Sequence, residues 1–143
     1  MLVAEWNKSP LSIKKQKQIL SEVTKALKIK KKTAVSVAFI TPDKIKKLNH
    51  DYRGKNKVTD VLSFNFDTDG LLGEILICLA QAKKQAKSFG YSLEDEVTIL
   101  LVHGLLHLFG HDHLKTSEAQ KMFTLKKKIL KKLKVDWEPV AAG

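Results

Sequence analysis

The chain has one cysteine, three prolines, seven glycines and two tryptophans in 143 residues. The lone cysteine, Cys78, can make no internal disulfide, which excludes a secreted fold stapled by bridges. No apolar run approaches the ~18 residues of a membrane span, and no signal-peptide profile opens the sequence. A cytoplasmic protein with no membrane partner is the expectation. Scarce proline and glycine, with no repeat or low-complexity stretch, leave nowhere for a linker. Residues 1–143 are therefore expected to form one domain, long enough to bury its own core. A hydrophobic share of 43% and a charged share of 29% exclude a disordered or fibrous chain.

What the chain has in excess is lysine. Lys and Arg number 26 against 15 acids, for a net charge of +11, and Arg53 is the single arginine. The excess is uneven. Residues 1–60 carry fifteen basic and five acidic residues, or +10, and residues 115–134 carry eight lysines against Glu118, or +7. Between them, residues 61–114 carry three lysines against seven acids, or −4. Two basic segments flanking a mildly acidic centre favour a polyanionic partner, nucleic acid or a ribonucleoprotein first.

Periodicity places the elements. Met1–Trp6 reads as a strand, and Ser9-Pro10 as the cap and first residue of a helix through Ile13, Ile19, Leu20, Val23 and Leu27, closed by Lys30–Lys32. Thr33–Ile40 alternates as a strand covered mainly on one face. Thr41-Pro42 restarts a short helix ending near His50, and Asp51–Lys57 reads as a loop. Val58–Phe66 and Leu71–Cys78 predict an antiparallel hairpin about the turn Asp67–Gly70. Ala80–Phe89 predicts a helix stopped by Gly90, and Ser92 with Asp95 starts the next, which carries the histidines to Gly110. A capping box, Ser117 with Gln120, opens a last helix with Phe123, Ile129 and Leu133 as its apolar stripe. Interleaved helices and strands with a central hairpin predict a small α/β (α+β) fold on a four-stranded mixed sheet.

Four of the five histidines fall between His103 and His113. His103 and His107, four apart on a helix, differ by about 40° and rise about 6 Å, so their rings can meet at one ion. Gly110 lets the chain turn out of the helix and bring His113 back to them. Three imidazoles suit zinc, or another divalent transition metal, and leave a fourth position where water ionises near neutral pH. Histidines at i, i+4 and i+10 with glycine at i+7 follow the spacing of one group of zinc proteases. The glutamate those proteases use as base is missing, however, because Gly104 follows the first histidine. A carboxylate from elsewhere, Asp112 or Glu74, would have to move protons. His111 is the alternative third ligand. Asp112 either orients a ligand imidazole or stabilises an Asx-type turn.

The run His103–His113 resembles the motif H-G-x-L-H-L-x-G-x-D-H of the YbeY family, bacterial endoribonucleases of ribosomal RNA maturation. Asn49–Phe64 and Leu71–Ile75 are similar to further segments of that family. Val58 and Asn65 stand where the family often has proline, and Glu74 where it usually has aspartate. The resemblance implies a metal-dependent RNase that matures the 3′ end of small-subunit ribosomal RNA, with a part in ribosome quality control. It implies zinc on His103, His107 and His113, and a basic residue facing the metal cleft at Arg53. The implied partners are the ribosomal small subunit, one of its proteins and an Era-like GTPase.

Residue chemistry bears on the same substrate. Arg53 presents a rigid, always charged fork to phosphate, while Lys55 and Lys57 add attraction without geometry. Tyr52 either stacks on a base or belongs to the core. Three function classes remain: a zinc endoribonuclease cutting single-stranded RNA, a zinc metalloprotease, and an RNA- or ribosome-binding assembly factor with structural zinc. Gly104 disfavours the second.

Overall fold

The computed structural model describes residues 1–68, 70–110 and 116–138. Four strands and five helices follow one another in these residues: β1 (Leu2–Asn7), α1 (Ile13–Leu27), β2 (Thr33–Ile40), α2 (Pro42–Arg53), β3 (Val61–Thr68), β4 (Leu71–Cys78), α3 (Leu79–Phe89), α4 (Leu93–Leu108) and α5 (Thr116–Lys132). The strands form one sheet in the order β1-β2-β4-β3. β1 runs parallel to β2 and β2 parallel to β4, while β3 is the antiparallel edge. This is the mixed four-stranded sheet that the patterning predicts.

The sheet has two unequal faces, because alternate residues of a strand point to opposite sides. Val35, Val37, Phe39, Ile75 and Ile77 join the large core with α1, α4 and α5. Ala38, Leu62, Leu76 and Cys78 meet Ile45 of α2 in a smaller cluster on the other side. Cys78 is fully buried there, as its apolar neighbours imply. α4 is apolar nearly all round and sits in the large core, with eleven buried residues among its sixteen. Its first turn compensates with Glu94, Asp95 and Glu96, whose charge opposes the helix dipole, and Ser92 Oγ accepts from the Asp95 amide at 3.1 Å.

Local boundaries differ from the sequence reading where side chains compete for caps. α1 starts from Ser12, not from Ser9-Pro10, because Ser12 Oγ accepts from the Lys15 amide while Ser9 Oγ is taken by the Leu11 amide. Leu11 is thereby buried, and Ile13 is left 70% exposed. α1 stops at Leu27 with Lys28 in the left-handed conformation. α2 runs past His50 to Arg53, where Gly54 at φ 69° closes it. Arg53 therefore belongs to a helix end and not to a loop. β3 begins at Val61, later than Val58, and continues to Thr68. α5 begins at Thr116, which puts Ser117 inside its first turn. Its buried stripe is Met122, Ile129 and Leu130, continued by Leu133 just past its end, with Phe123 turned outward. The helix is packed, and its lysines are not a free tail.

Among the described residues, no helix is long and apolar enough to cross a membrane.

Candidate metal and phosphate cleft

A cleft of about 570 Å³ opens at the β3 edge of the sheet, between the end of α2 and the second half of α4. His103 and His107 line one side, Tyr52 and Arg53 the other, and residues 59–65 run between them. The helix that carries the histidines lies unusually close to the sheet. A Cβ on Gly104 would lie 3.0 Å from Ile75 Cγ2 and 3.2 Å from Ser63 Oγ, and Gly73 would clash likewise with Phe64 and Leu108. Two side chains of β3 hold that approach: Ser63 Oγ donates to the Gly104 carbonyl at 3.3 Å, and Asn65 Nδ2 to the Leu108 carbonyl at 2.9 Å. The second bond satisfies one of the carbonyls left over at a helix C-terminus. Glycine at 104 thus sets the height of both histidines over β3.

The Nε2 atoms of His103 and His107 are 3.1 Å apart, with ring centroids at 4.6 Å and planes at 68°. Two nitrogens each about 2.0–2.1 Å from one tetrahedral zinc stand about 3.3 Å apart, so the spacing of the pair is close to what such an ion needs. Among the described residues no group of three or more His, Cys, Asp and Glu side chains is assembled for a metal. The expected third ligand, His113, lies outside the described residues, as do His111 and Asp112.

Behind the histidines lies a polar cluster that the sequence reading missed. Lys126 of α5 brings its Nζ to 3.4 Å from His103 Nδ1 and to 4.7 Å from the centroid of Trp137. Gln85 Nε2 donates both to Asp60 Oδ2 at 3.2 Å and to Glu96 Oε1 at 3.1 Å. Burial depresses the Lys126 ammonium to about 8, against the opposing pull of the Asp60 and Glu96 carboxylates. Burial likewise raises Glu96 above its ordinary value, aided by Asp60 and opposed by Gln85 and Lys126. Asp60 itself borders the cleft, where its Oδ1 accepts from the Val61 amide at 2.8 Å. Asp60 falls within the family-like segment Asn49–Phe64, but as an acid between Thr59 and a strand-forming run it is not singled out there. For Lys126 there is none, since it reads as one lysine among many.

The candidate residues are not all brought together. Arg53 and His107 share the cleft. Glu74 does not: it points to the sheet face opposite α4, where Ser36 Oγ donates to its Oε2 at 3.2 Å. Alternation along β4 is the reason, since Gly73 and Ile75 face α4 and residue 74 must face away. A proton-transfer role for Glu74 at the histidines is therefore corrected. Among the described residues, the carboxylate that lines the cleft is Asp60. Lys55 and Lys57 are exposed on the loop after α2, which is tied down by Asn49 Nδ2 donating to the Lys57 carbonyl at 3.0 Å. Neither lines the cleft. Tyr52 is 68% exposed and meets Phe64 edge-on at 5.1 Å, so it is a surface aromatic and not a core residue.

Comparison with known proteins finds a matching family model, similar relatives and a similar solved structure. The family model described as Endoribonuclease YbeY covers residues 5–134. The Endoribonuclease YbeY of Phytoplasma australiense is 40% identical over 143 residues, spanning 95% of this chain and 98% of the relative. That of Ureaplasma urealyticum is 42% identical over 123 residues, covering 82% and 79%. Among solved structures, the solution structure of TM1509 from Thermotoga maritima is similar, with a TM-score of 0.65 and 28% identity. It covers 92% of this chain and 89% of that one.

Proposed function

Because the chain belongs to the YbeY family, we propose that it is a metal-dependent endoribonuclease acting on single-stranded RNA. The observation that carries this reading is the convergence of two imidazole Nε2 atoms, 3.1 Å apart, in the cleft that Arg53 also lines. His103 and His107, with His113 as third ligand, would hold zinc. When bound there, zinc supplies Lewis-acid polarisation of a phosphoryl oxygen and ready ionisation of water.

The chain's own groups do the rest. Arg53 extends from the last turn of α2 over the cleft, where its guanidinium takes two non-bridging phosphate oxygens and offsets the charge that grows as phosphorus becomes five-coordinate. Among the described residues it is engaged in no ion pair that would compete. Tyr52, exposed beside it, offers a face or edge to an unstacked base. Lys55 and Lys57, exposed on the loop that follows Arg53, add a long-range attraction for phosphate. Asp60 borders the same space and is the described carboxylate best placed to accept a proton. Ser63 and Asn65 of β3 act on position alone, by fixing α4 against β3.

The substrate in this reading is a precursor of small-subunit ribosomal RNA, cut near its 3′ end in the cytoplasm, in a step that serves ribosome quality control. The ribosomal small subunit and an Era-like GTPase are the proposed partners. The net charge of +11 supports a ribonucleoprotein setting.

The test compares RNA cleavage by zinc-loaded wild type and a His107→Ala protein purified identically. Wild type should cut single-stranded RNA internally and the variant should not. Equal cleavage by both would expose a contaminant and refute the assignment. Mapping the product ends on RNA with one 2′-deoxy linkage then separates two routes: cleavage at that linkage excludes attack by the 2′-hydroxyl.

A further inference from the structure

The outer face of α5 combines two features that folding alone does not call for. The first is aromatic. Phe123 is 39% exposed, and its ring stands 5.5 Å from that of Trp137 at a tilt of 50°. Lys127 Nζ lies 6.0 Å from the Phe123 centroid. The second feature is cationic. A hollow of about 400 Å³ beside Trp137 is bordered by Lys127, Lys131 and Lys134. It adjoins, at Lys134, another hollow of about 490 Å³ where Lys132 faces Lys14 and Lys17 of α1. Around the two hollows stand six lysines against three carboxylates, Glu22, Asp136 and Glu138. Among the described residues none of these six lysines makes an ion pair, and Glu22 is already paired with Lys25 at 3.7 Å.

Like charges at i and i+4, as at Lys127 and Lys131, weaken a helix slightly. Solubility would be served as well by glutamates interspersed among them. Unneutralised cations flanking partly exposed aromatic rings are what a single nucleic-acid strand needs: charge for its phosphates and π-faces for its bases. The location fits the same ligand. Lys126 touches both His103 and Trp137, so the patch starts one side chain away from the cleft.

We propose that Trp137, Phe123 and Lys127, Lys131 and Lys134 form a second RNA-binding surface, which holds a single-stranded stretch flanking the linkage in the cleft. The proposal rests on the RNA reading of the cleft. A base stacks on Trp137, and successive phosphates follow the lysines along α5 toward α1.

Trp6 and Trp137 are the two tryptophans, so Trp6→Phe leaves Trp137 as sole indole reporter. In that background with His107→Ala, which prevents cleavage, the probe is an unstructured RNA of about a dozen nucleotides, within the usual ~4–16 of single-strand sites. Binding should quench Trp137 emission. Adding Lys127→Glu, Lys131→Glu and Lys134→Glu should move the midpoint at least about tenfold higher and lower the salt slope by about 2, at about 0.7 per lost contact. The control, Lys30→Glu, Lys31→Glu and Lys32→Glu, makes the same charge change beyond the other end of α1 and should shift the midpoint much less. If the glutamate triple fails to fold by circular dichroism, the Lys→Gln triple replaces it. Absence of quenching on binding, or equal shifts in the two triples, overturns the proposal. Quenching by a protein whose wild type cuts no RNA leaves this surface standing and refutes the catalytic reading. Cleavage by a wild type whose Trp137 never responds does the reverse.

Discussion

Gly104 and Ile75 stand so close that a Cβ on the glycine would meet the isoleucine Cγ2 at 3.0 Å. Position 104 follows the first histidine, where a zinc protease carries its glutamate base. Here that position looks into the sheet and not into the cleft. The missing glutamate is thus a packing requirement as well as a chemical difference, and it separates this site from a peptidase more firmly than sequence alone does.

Two substitutions test that relationship. Gly104→Ala gains about 0.8–1 kcal/mol of helix propensity but crowds Ile75 and Ser63, at a typical cost of about 1–3 kcal/mol. A net loss of about 1 kcal/mol in urea unfolding is expected. Gly104→Glu should lose considerably more, because its carboxylate enters an apolar contact without a partner, and should gain no peptidase activity. A stable Gly104→Glu protein would show that α4 is free to lift from the sheet.

Arg53→Lys keeps the charge and loses the planar fork. With a charge-assisted hydrogen bond worth about 1.5–3 kcal/mol, single-turnover RNA cleavage should fall by between about ten- and about a hundredfold. Zinc content, measured by mass spectrometry, should stay the same, since Arg53 lies across the cleft from the histidines. Cleavage as fast as wild type would remove Arg53 from the phosphate.

Much of this was legible in the residues, for physical reasons that also explain the rest. The helical pair His103 and His107 is a purely local relationship, so spacing alone places their Nε2 atoms together. The sheet was legible because Val35, Val37 and Phe39 alternate against smaller residues. The face that Glu74 takes is not legible, because nearness in sequence to the hairpin says nothing of which face a strand residue takes; the pairing with Ser36 of β2 decides that. The start of α1 was missed because Ser9 and Ser12 are equivalent caps on paper, and the burial of Leu11 selects between them. Lys126 was invisible because its distinction is tertiary: one lysine of α5 is turned inward by Asp60, Glu96 and Trp137.

Asp60 and Glu74 should now separate in function. Glu74→Gln retains an acceptor for Ser36 Oγ on the far face of the sheet, so cleavage should remain within about twofold of wild type, a change of under about 0.4 kcal/mol. Asp60→Asn keeps the shape but removes the charge that faces Glu96 and Lys126 and borders the cleft. Its cleavage should fall by at least about tenfold, or about 1.4 kcal/mol, with unfolding midpoints measured alongside. The opposite ranking would return Glu74 to the mechanism.

The buried Glu96 gives the fold a definite pH dependence. It is 3% exposed and accepts from Gln85, with Asp60 and Lys126 as its charged neighbours. Burial is the largest influence on it and raises its pKa above 4.5. In the window just above 4.5, the folded chain therefore keeps a proton on Glu96 that the unfolded chain has released. Folding binds more protons there, so this group's contribution makes stability fall as pH rises through the window and level off above the folded-state pKa. Glu96→Gln cannot titrate and still offers an amide oxygen to Gln85. The difference in unfolding free energy, wild type minus Glu96→Gln, should therefore decrease as pH rises from below 4.5 toward neutrality. Lys126 does not interfere, because its own change begins at about 8, where a depressed lysine makes stability rise with pH. Urea unfolding of both proteins at matched ionic strength across the acidic range measures the difference directly. A pH-independent gap would mean that Glu96 titrates as it does in water and that the polar cluster beneath His103 is open to solvent.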